Sequence, residues 1–217
     1  MSDDRPGPFF TSLHQYRDEL GRFSIRIPGD WQEFDLEDDR EGVLFSPQEE
    51  DAPSTYVAVW VSQLGGEHVV AEDLDVLREG VEEGLHQLDG IEITDSKDDA
   101  ISNLVKFERV YEFNEGGIRR KRRVWMLYID TWSMVVIYQG ETPSEYDYWL
   151  PMGNYALGTF NIPEALWFAT DRELNGKRLT EGGESLTATS EDSESAIAAP
   201  GDNDSVDTDD APVEARS

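Results

Sequence analysis

The sequence predicts an α+β domain built on an antiparallel sheet whose central strands are covered on both sides, followed by a disordered acidic C-terminal tail. Three observations carry this prediction. Val124 to Ile129 and Trp132 to Tyr138 are apolar at successive positions, so each reads as a strand covered on both sides and central in a sheet. Val70, Leu74, Leu77, Val81, Leu85 and Leu88 recur at three- and four-residue steps among charged residues, which predicts an amphipathic helix of about five turns. Beyond Phe168 there is no aromatic residue, and the chain from Thr180 onward is rich in Ser, Thr, Ala, Gly, Asp and Glu. Such a segment cannot bury enough apolar surface to offset the entropy of ordering.

Taken in order, residues 1–12 are polar, contain Pro and Gly, and read as a loose arm. Leu13 to Pro28 reads as a hairpin turning at Asp18 to Gly21, with Arg22 to Ile27 alternating polar and apolar. Val43 to Phe45 and Thr55 to Ser62 are two further strands, separated by an acidic loop that contains proline. The amphipathic helix follows, and Gly80, Gly84 and Gly90 leave it dependent on tertiary packing. Ile91 to Ser96 is a short strand. Leu104 to Phe113 then opens a three-stranded meander, joined to the next strand through Asn114-Glu115-Gly116-Gly117, with Asp130-Thr131 as the second turn. Thr142-Pro143-Ser144-Glu145 is a helix start, with a Thr cap, Pro at the first helical position and Glu three residues after the cap. Pro151 is expected to kink or divide that helix, and Pro163 to Leu174 to form one more. The folded domain is thus placed at 13–175 and the tail at 176–217.

The 217 residues carry a net charge of −29, of which 181–217 hold −10 and 1–180 hold −19. A field of that sign repels nucleic acid and anionic membrane over most of the surface. Only four of the 18 basic residues are Lys. Arg preferred over Lys, with abundant Asp, resembles the composition of a halophile or a high-GC genome. With no cysteine, disulfides, thiolate metal sites and cysteine nucleophiles are excluded. No apolar run approaches the length of about 20 residues that crosses a bilayer. The opening Met-Ser-Asp-Asp-Arg-Pro lacks the basic and apolar regions of a signal peptide, so a cytoplasmic location is expected.

Gly21-Arg22-Phe23-Ser24-Ile25-Arg26-Ile27-Pro28-Gly29-Asp30-Trp31 resembles the opening strand of the PsbP-like superfamily, an apolar strand ending in Pro, then a short turn and Trp. The later order of strand, long helix, meander and a helix running into Gly158-Thr159-Phe160-Asn161 is similar to that family as well. The likeness spans about residues 13 to 162. The superfamily takes in the Mog-type Ran release factor, the DcrB-like lipoproteins and the chaperones of type VI secretion effectors. The resemblance implies an α/β/α sandwich that serves mainly as a binding and assembly scaffold. The export signal or lipidated Cys of the secreted members is not found here.

A search for chemistry yields little. His14, His68 and His86 are far apart and form no metal pattern, and Asp38-Asp39, Glu49-Glu50-Asp51 and Asp98-Asp99 read as solvated loops. No phosphate loop, dinucleotide fingerprint or nucleophile elbow appears. No cofactor and no enzymatic activity are therefore expected.

One constellation stands apart. Arg119-Arg120-Lys121-Arg122-Arg123 gathers five of the 18 basic residues in one strand. With a turn tip at Glu115-Gly116, Glu112 faces Arg119 and Glu108 faces Arg123, while Arg120 and Arg122 point the other way, opposite Tyr111 and Arg109, with no cross-strand acid. The pair either pairs with the acidic helix Glu72 to Glu83, or sits in solvent, or docks an acidic group of a protein partner or of the tail. An exposed Leu166-Trp167-Phe168 is a second candidate partner patch.

Two function classes follow. The first is a non-enzymatic adaptor or chaperone-like module that binds a protein, with neither nucleic acid nor membrane insertion. The second is a small-ligand carrier or an enzyme whose pocket carries no motif. A shallow groove rimmed by Trp and Arg favours the first, a deep apolar pocket the second. For the domain boundary, limited proteolysis should leave a core ending near Gly176 with an unchanged melting temperature. A loss of several degrees on truncation there would refute the boundary.

Overall fold

The computed structural model describes residues 5–36, 40–65, 68–163 and 166. The elements in chain order are β1 (Leu13–Arg17), β2 (Ser24–Pro28), β3 (Gln32–Phe34), β4 (Glu41–Ser46), β5 (Tyr56–Gln63), α1 (Leu74–His86), β6 (Glu92–Ile101), β7 (Leu104–Glu115), β8 (Ile118–Ile129), β9 (Trp132–Gly140) and α2 (Pro143–Thr159). A 3₁₀ turn, Ala71–Asp73, leads into α1. Seven strands form one antiparallel sheet in the order β3-β4-β5-β9-β8-β7-β6, and β1 pairs with β2. The largely apolar β9 is the middle strand, with β8 beside it, as strands covered on both sides must be.

Alternate residues of β8 and β9 enter two different cores. Leu127, Ile129, Met134, Val136 and Tyr138 join Tyr146, Met152, Ala156 and Leu157 of α2 and Phe23, Ile25 and Ile27 of the β1–β2 hairpin. Val124 and Ile137 join Val105, Phe107, Tyr111 and Phe113 of β7 and Val81 and Leu85 of α1. The apolar stripe read in the sequence thus reaches the second core through Val81 and Leu85. A buried guanidinium adds a fixed link. Arg109, 2% exposed, lies 2.8 Å from Glu82 of α1 and 2.5 Å from Asp98 of β6. Arg78 of α1 reaches the same Asp98 at 2.6 Å. These pairs set where α1 sits along the sheet more than they add net stability.

At the other end, the β1–β2 turn is closed by Arg22, whose Nε and Nη2 donate to Asp18 at 2.8 and 2.9 Å. Those bonds hold the Asp18 carboxyl below its ordinary range despite its burial. Arg22 also pairs with Glu41 and so ties the hairpin to β4. Residues of the N-terminal arm lie along α2. Arg5 pairs with Glu145 at 2.6 Å, Tyr148 donates its hydroxyl to the Pro6 carbonyl at 3.1 Å, and the Phe10 ring meets Tyr155 edge-on.

Three expectations change, and one strand, β3, is new. The meander turns at Gly116-Gly117, both at positive φ, and not at Glu115-Gly116, because a two-residue hairpin turn of this kind needs both central residues where glycine alone is unstrained. β6 runs on to Ile101 with a register shift between Ile93 and Asp95, since its polar half pairs with β7 although it buries little. β3 has only Gln, Glu and Phe and therefore no periodicity to read. α2 passes through Pro151 undivided, with buried Tyr146 on one side of it and Met152, Ala156 and Leu157 on the other. The Thr142 hydroxyl caps it as expected, accepting from the Glu145 N–H at 3.2 Å. The tail and the expected helix at Pro163 to Leu174, apart from Pro163 and Leu166, lie outside the described residues.

Glycine positions give a test of this packing. A Cβ at Gly153 of α2 would fall 2.6 Å from the fully buried Tyr138 ring, whereas a Cβ at Gly80 or Gly84 of α1 would meet nothing within 4 Å. Gly80→Ala and Gly84→Ala should each stabilise by about 0.5–1 kcal/mol through helix propensity. At Gly153 the same gain loses to overpacking, and Gly153→Ala should cost about 1–3 kcal/mol in urea denaturation. A neutral or stabilising Gly153→Ala would contradict the placement of α2.

Candidate functional site

On the face of the sheet that shares a core with α1, β4, β5, β9 and β8 border a pocket of about 470 Å³. Period-two alternation builds its floor from Tyr56, Ala58 and Trp60 of β5. Leu44 of β4 lies opposite Ala58, and Gln139 of β9 lies opposite Tyr56. Arg122 of β8 is in turn opposite Gln139, so one transverse row of the sheet reads Tyr56, Gln139, Arg122. The loop from β4 to β5 is folded back by Gln48, whose Oε1 accepts from the N–H groups of Ser54 at 2.8 Å and Thr55 at 2.9 Å, and it contributes Pro53 and Ser54 to the lining. Arg40 reaches in with its guanidinium 5.2 Å from the Trp60 ring centre.

The two arginines singled out by alternation both line this pocket. Their environments differ from expectation because the hairpin register is displaced by two residues. Arg122 faces Tyr111, and Arg120 faces Phe113. Arg120 is buried and does have a cross-strand acid, with Nε 2.6 Å from Glu115 Oε2 in an ion-pair contact without hydrogen-bond angles. Its Nη1 donates to the Glu141 carbonyl at 3.4 Å. Arg122 has no carboxylate within ion-pair distance among the described residues. Its Nε donates to Gln139 Oε1 at 2.8 Å and its Nη2 to the same oxygen, while the Tyr56 and Tyr111 hydroxyls lie at 3.4 and 3.5 Å. The guanidinium carbon sits 4.6 Å from the Phe113 ring centre. Burial pulls the Arg122 pKa down, but the Tyr56 and Tyr111 phenols and Glu115 outweigh it, so the group stays charged. Burial also raises the Tyr56 phenol, which is therefore a neutral donor at neutral pH.

The odd-numbered members of the basic run go elsewhere. Arg119 meets Glu112 at 3.2 Å and Arg123 pairs with Glu108, now as diagonal neighbours instead of direct partners. Lys121 reaches Asp147 of α2 at 2.8 Å, and Arg123 reaches Asn154 at 2.8 Å. The acidic helix is engaged by Arg109 and not by Arg120 or Arg122. Leu166 is half-buried against the α2 core and is not brought together with the two arginines. Trp167 and Phe168 lie outside the described residues.

Sequence reasoning missed Tyr56 and Trp60 of β5, Gln139 of β9 and Arg40 just ahead of β4, which meet the arginines only through the strand order β5-β9-β8. One signal was available. Gln139 is a polar residue at the end of an apolar strand, and it is 2% exposed. Among the described residues no group of three or more His, Asp or Glu is arranged to hold a metal, and no helix is long and apolar enough to cross a membrane. Chemically, the site offers a guanidinium, phenol hydroxyls and an aromatic floor, a set suited to holding an anion with an apolar body.

The chain has a PsbP-like fold. No protein-family model and no curated protein matches its sequence. The solution structure of cyanobacterial PsbP (CyanoP) from Synechocystis sp. PCC 6803 is similar, with a TM-score of 0.50 and 12% identity over 73% of this chain and 97% of that one. LpqN of Mycobacterium tuberculosis, involved in cell envelope biogenesis, is similar with a TM-score of 0.49 and 11% identity over 70% of this chain and 91% of that one. PA94 of Pseudomonas aeruginosa, of unknown function, gives a TM-score of 0.44 and 17% identity over 70% and 97%. At these identities the likeness concerns the fold.

The Arg122–Gln139 pair can be checked by stability. Gln139 donates through Nε2 to the Ser54 carbonyl at 3.1 Å and accepts from Arg122, so Gln139→Met strands a half-buried guanidinium and a carbonyl. It should cost about 1–3 kcal/mol, and adding Arg122→Met should return part of that loss. Additive losses in the double variant would mean that the two side chains are not coupled.

Proposed function

We propose that this protein is a non-enzymatic protein-binding module, of adaptor or chaperone-like type, that grips its partner in the Trp- and Arg-rimmed pocket. In this reading the domain is an α/β/α sandwich, α1 closing one face of the sheet and α2 with the β1–β2 hairpin the other, and the acidic chain at 176–217 is a disordered tail. The observation that carries the reading is Arg122. In a chain of net charge −29 it is a half-buried cation whose hydrogen-bond partners among the described residues are all neutral. The opening is broad and mixed in character, with Trp60, Arg40 and Arg120 at hand, which suits a protein surface better than an enclosed ligand. The strong negative field would turn away free nucleic acid and select a partner held by apolar contacts as well as charge.

A volume of about 470 Å³ also falls within the range of small-molecule sites, which favours a small-ligand carrier as the second reading. The test is recovery of partners from the native host by the tagged wild-type chain and by Arg120→Ser/Arg122→Ser, with melting temperatures measured in parallel. A specific partner should fall by about tenfold or more in the double variant, roughly 1.4 kcal/mol of binding. Equal recovery with a folded variant would remove the pocket from the interface.

A further inference from the structure

The pocket contains a seat of defined shape. Phe113 lies against one face of the Arg122 guanidinium, and Gln139 Oε1 takes its Nε–H and one N–H of Nη2, Gln139 itself being held by the Ser54 carbonyl. The Nη1–Nη2 edge is left with two phenol hydroxyls at 3.4 and 3.5 Å, at the outer limit of a hydrogen bond. A planar acid group placed on that edge would accept from both Nη atoms in parallel, and from the Tyr56 hydroxyl beside it. Because the guanidinium is already fixed flat, little rotamer freedom remains to be lost on binding.

The rest of the lining narrows the charge and body of the occupant. Asp35, Asp51 and Glu115 all line the same pocket, and Glu115 is taken by Arg120. A single negative charge is matched by Arg122, while a second one would lie near Asp35 and Asp51, which have no ion pair among the described residues, with Arg40 the remaining cation of the lining. Beside the seat, Ala58 leaves room over the sheet between Leu44 and Trp60 for an apolar group.

From this we infer that the Arg122 seat binds one carboxylate carried on an apolar or aromatic body. The inference rests on the proposed docking site and names the group by which that site is engaged. Such a carboxylate is found at the C-terminus of a peptide ending in an apolar residue, and equally on a free small acid.

The test uses the full ¹⁵N-labelled chain and follows the Arg122 Nε–Hε and Trp60 indole signals during titration with N-acetyl-phenylalanine, its neutral amide, and phenylphosphonate. The acid should shift both signals saturably, and the amide should bind about tenfold more weakly or worse, as expected for loss of a charge-assisted bidentate contact. Phenylphosphonate should bind less tightly than the acid. Arg122→Gln should abolish the response, and Arg122→Lys, which keeps the charge but loses the fork, should weaken it. The acid–amide comparison on the wild-type chain stands by itself if those variants fail to fold. No saturable shift, equal binding of acid and amide, or tighter binding of the phosphonate would overturn the seat.

Acetyl-Ala-Ala-Phe with a free C-terminus separates the two sources. Tighter binding than N-acetyl-phenylalanine supports the seat as a reader of peptide ends. No gain supports it as a small-acid site and counts against the adaptor reading. Conversely, a host partner lost on changing Arg120 and Arg122, with no response to any carboxylate probe, would retain the adaptor reading and reject the seat.

Discussion

The hydrogen-bond register between β7 and β8 is the constraint on which the pocket and the electrostatics depend. It is set at one point, the Gly116-Gly117 turn, where both residues sit at positive φ. From there the pleat sends Arg119, Lys121 and Arg123 to the side where Glu112, Glu108, Asp147 and Asn154 receive them, and Arg120 and Arg122 to the other. A register displaced by one residue would exchange the two sets and bury the wrong cations. The actual displacement from the expected register is two, which keeps every side chain on its face and changes only its neighbours.

That distinction explains why the acid pairs of the odd-numbered residues survive as diagonals while the even-numbered pair acquires new surroundings. Arg120 gains Glu115, and Arg122 comes beside Tyr111. The neighbour of β8 on its other side completes the effect. Because β9 lies between β8 and β5, Gln139 is placed to accept from Arg122 and to meet Tyr56. A buried amide at that position gives the guanidinium its short hydrogen bonds, which the two phenol hydroxyls at 3.4 and 3.5 Å do not supply, and it does so without a counter-charge.

No residue of α1 lines the pocket. The helix carries glycines at 80 and 84 that face open space, so its position comes from Val81 and Leu85 in the core and from the Arg109 links to Glu82 and Asp98. Those links hold it near β6 and β7, and the Tyr56–Trp60 surface is left to the β4–β5 loop. The similarity to CyanoP at 12% identity fits this division, since a fold can be specified by strand patterns and turns while the site depends on single side chains.

By itself the sequence determined the central strands, the amphipathic helix, the Thr142 cap and the opposite facing of Arg120 and Arg122, because each follows from short-range periodicity or from local backbone chemistry. It also carried, through Gly21 to Trp31, the resemblance to the PsbP-like fold. Only the tertiary structure decided that α2 continues through Pro151, that β6 extends to Ile101, and that Arg109 rather than Arg122 answers the acidic helix. Strand order decided most. Tyr56, Gln139 and Arg122 are separated by 83 and 17 residues in the chain. They form one row because β9 pairs with β5 on one side and β8 on the other, a long-range choice that no local pattern encodes.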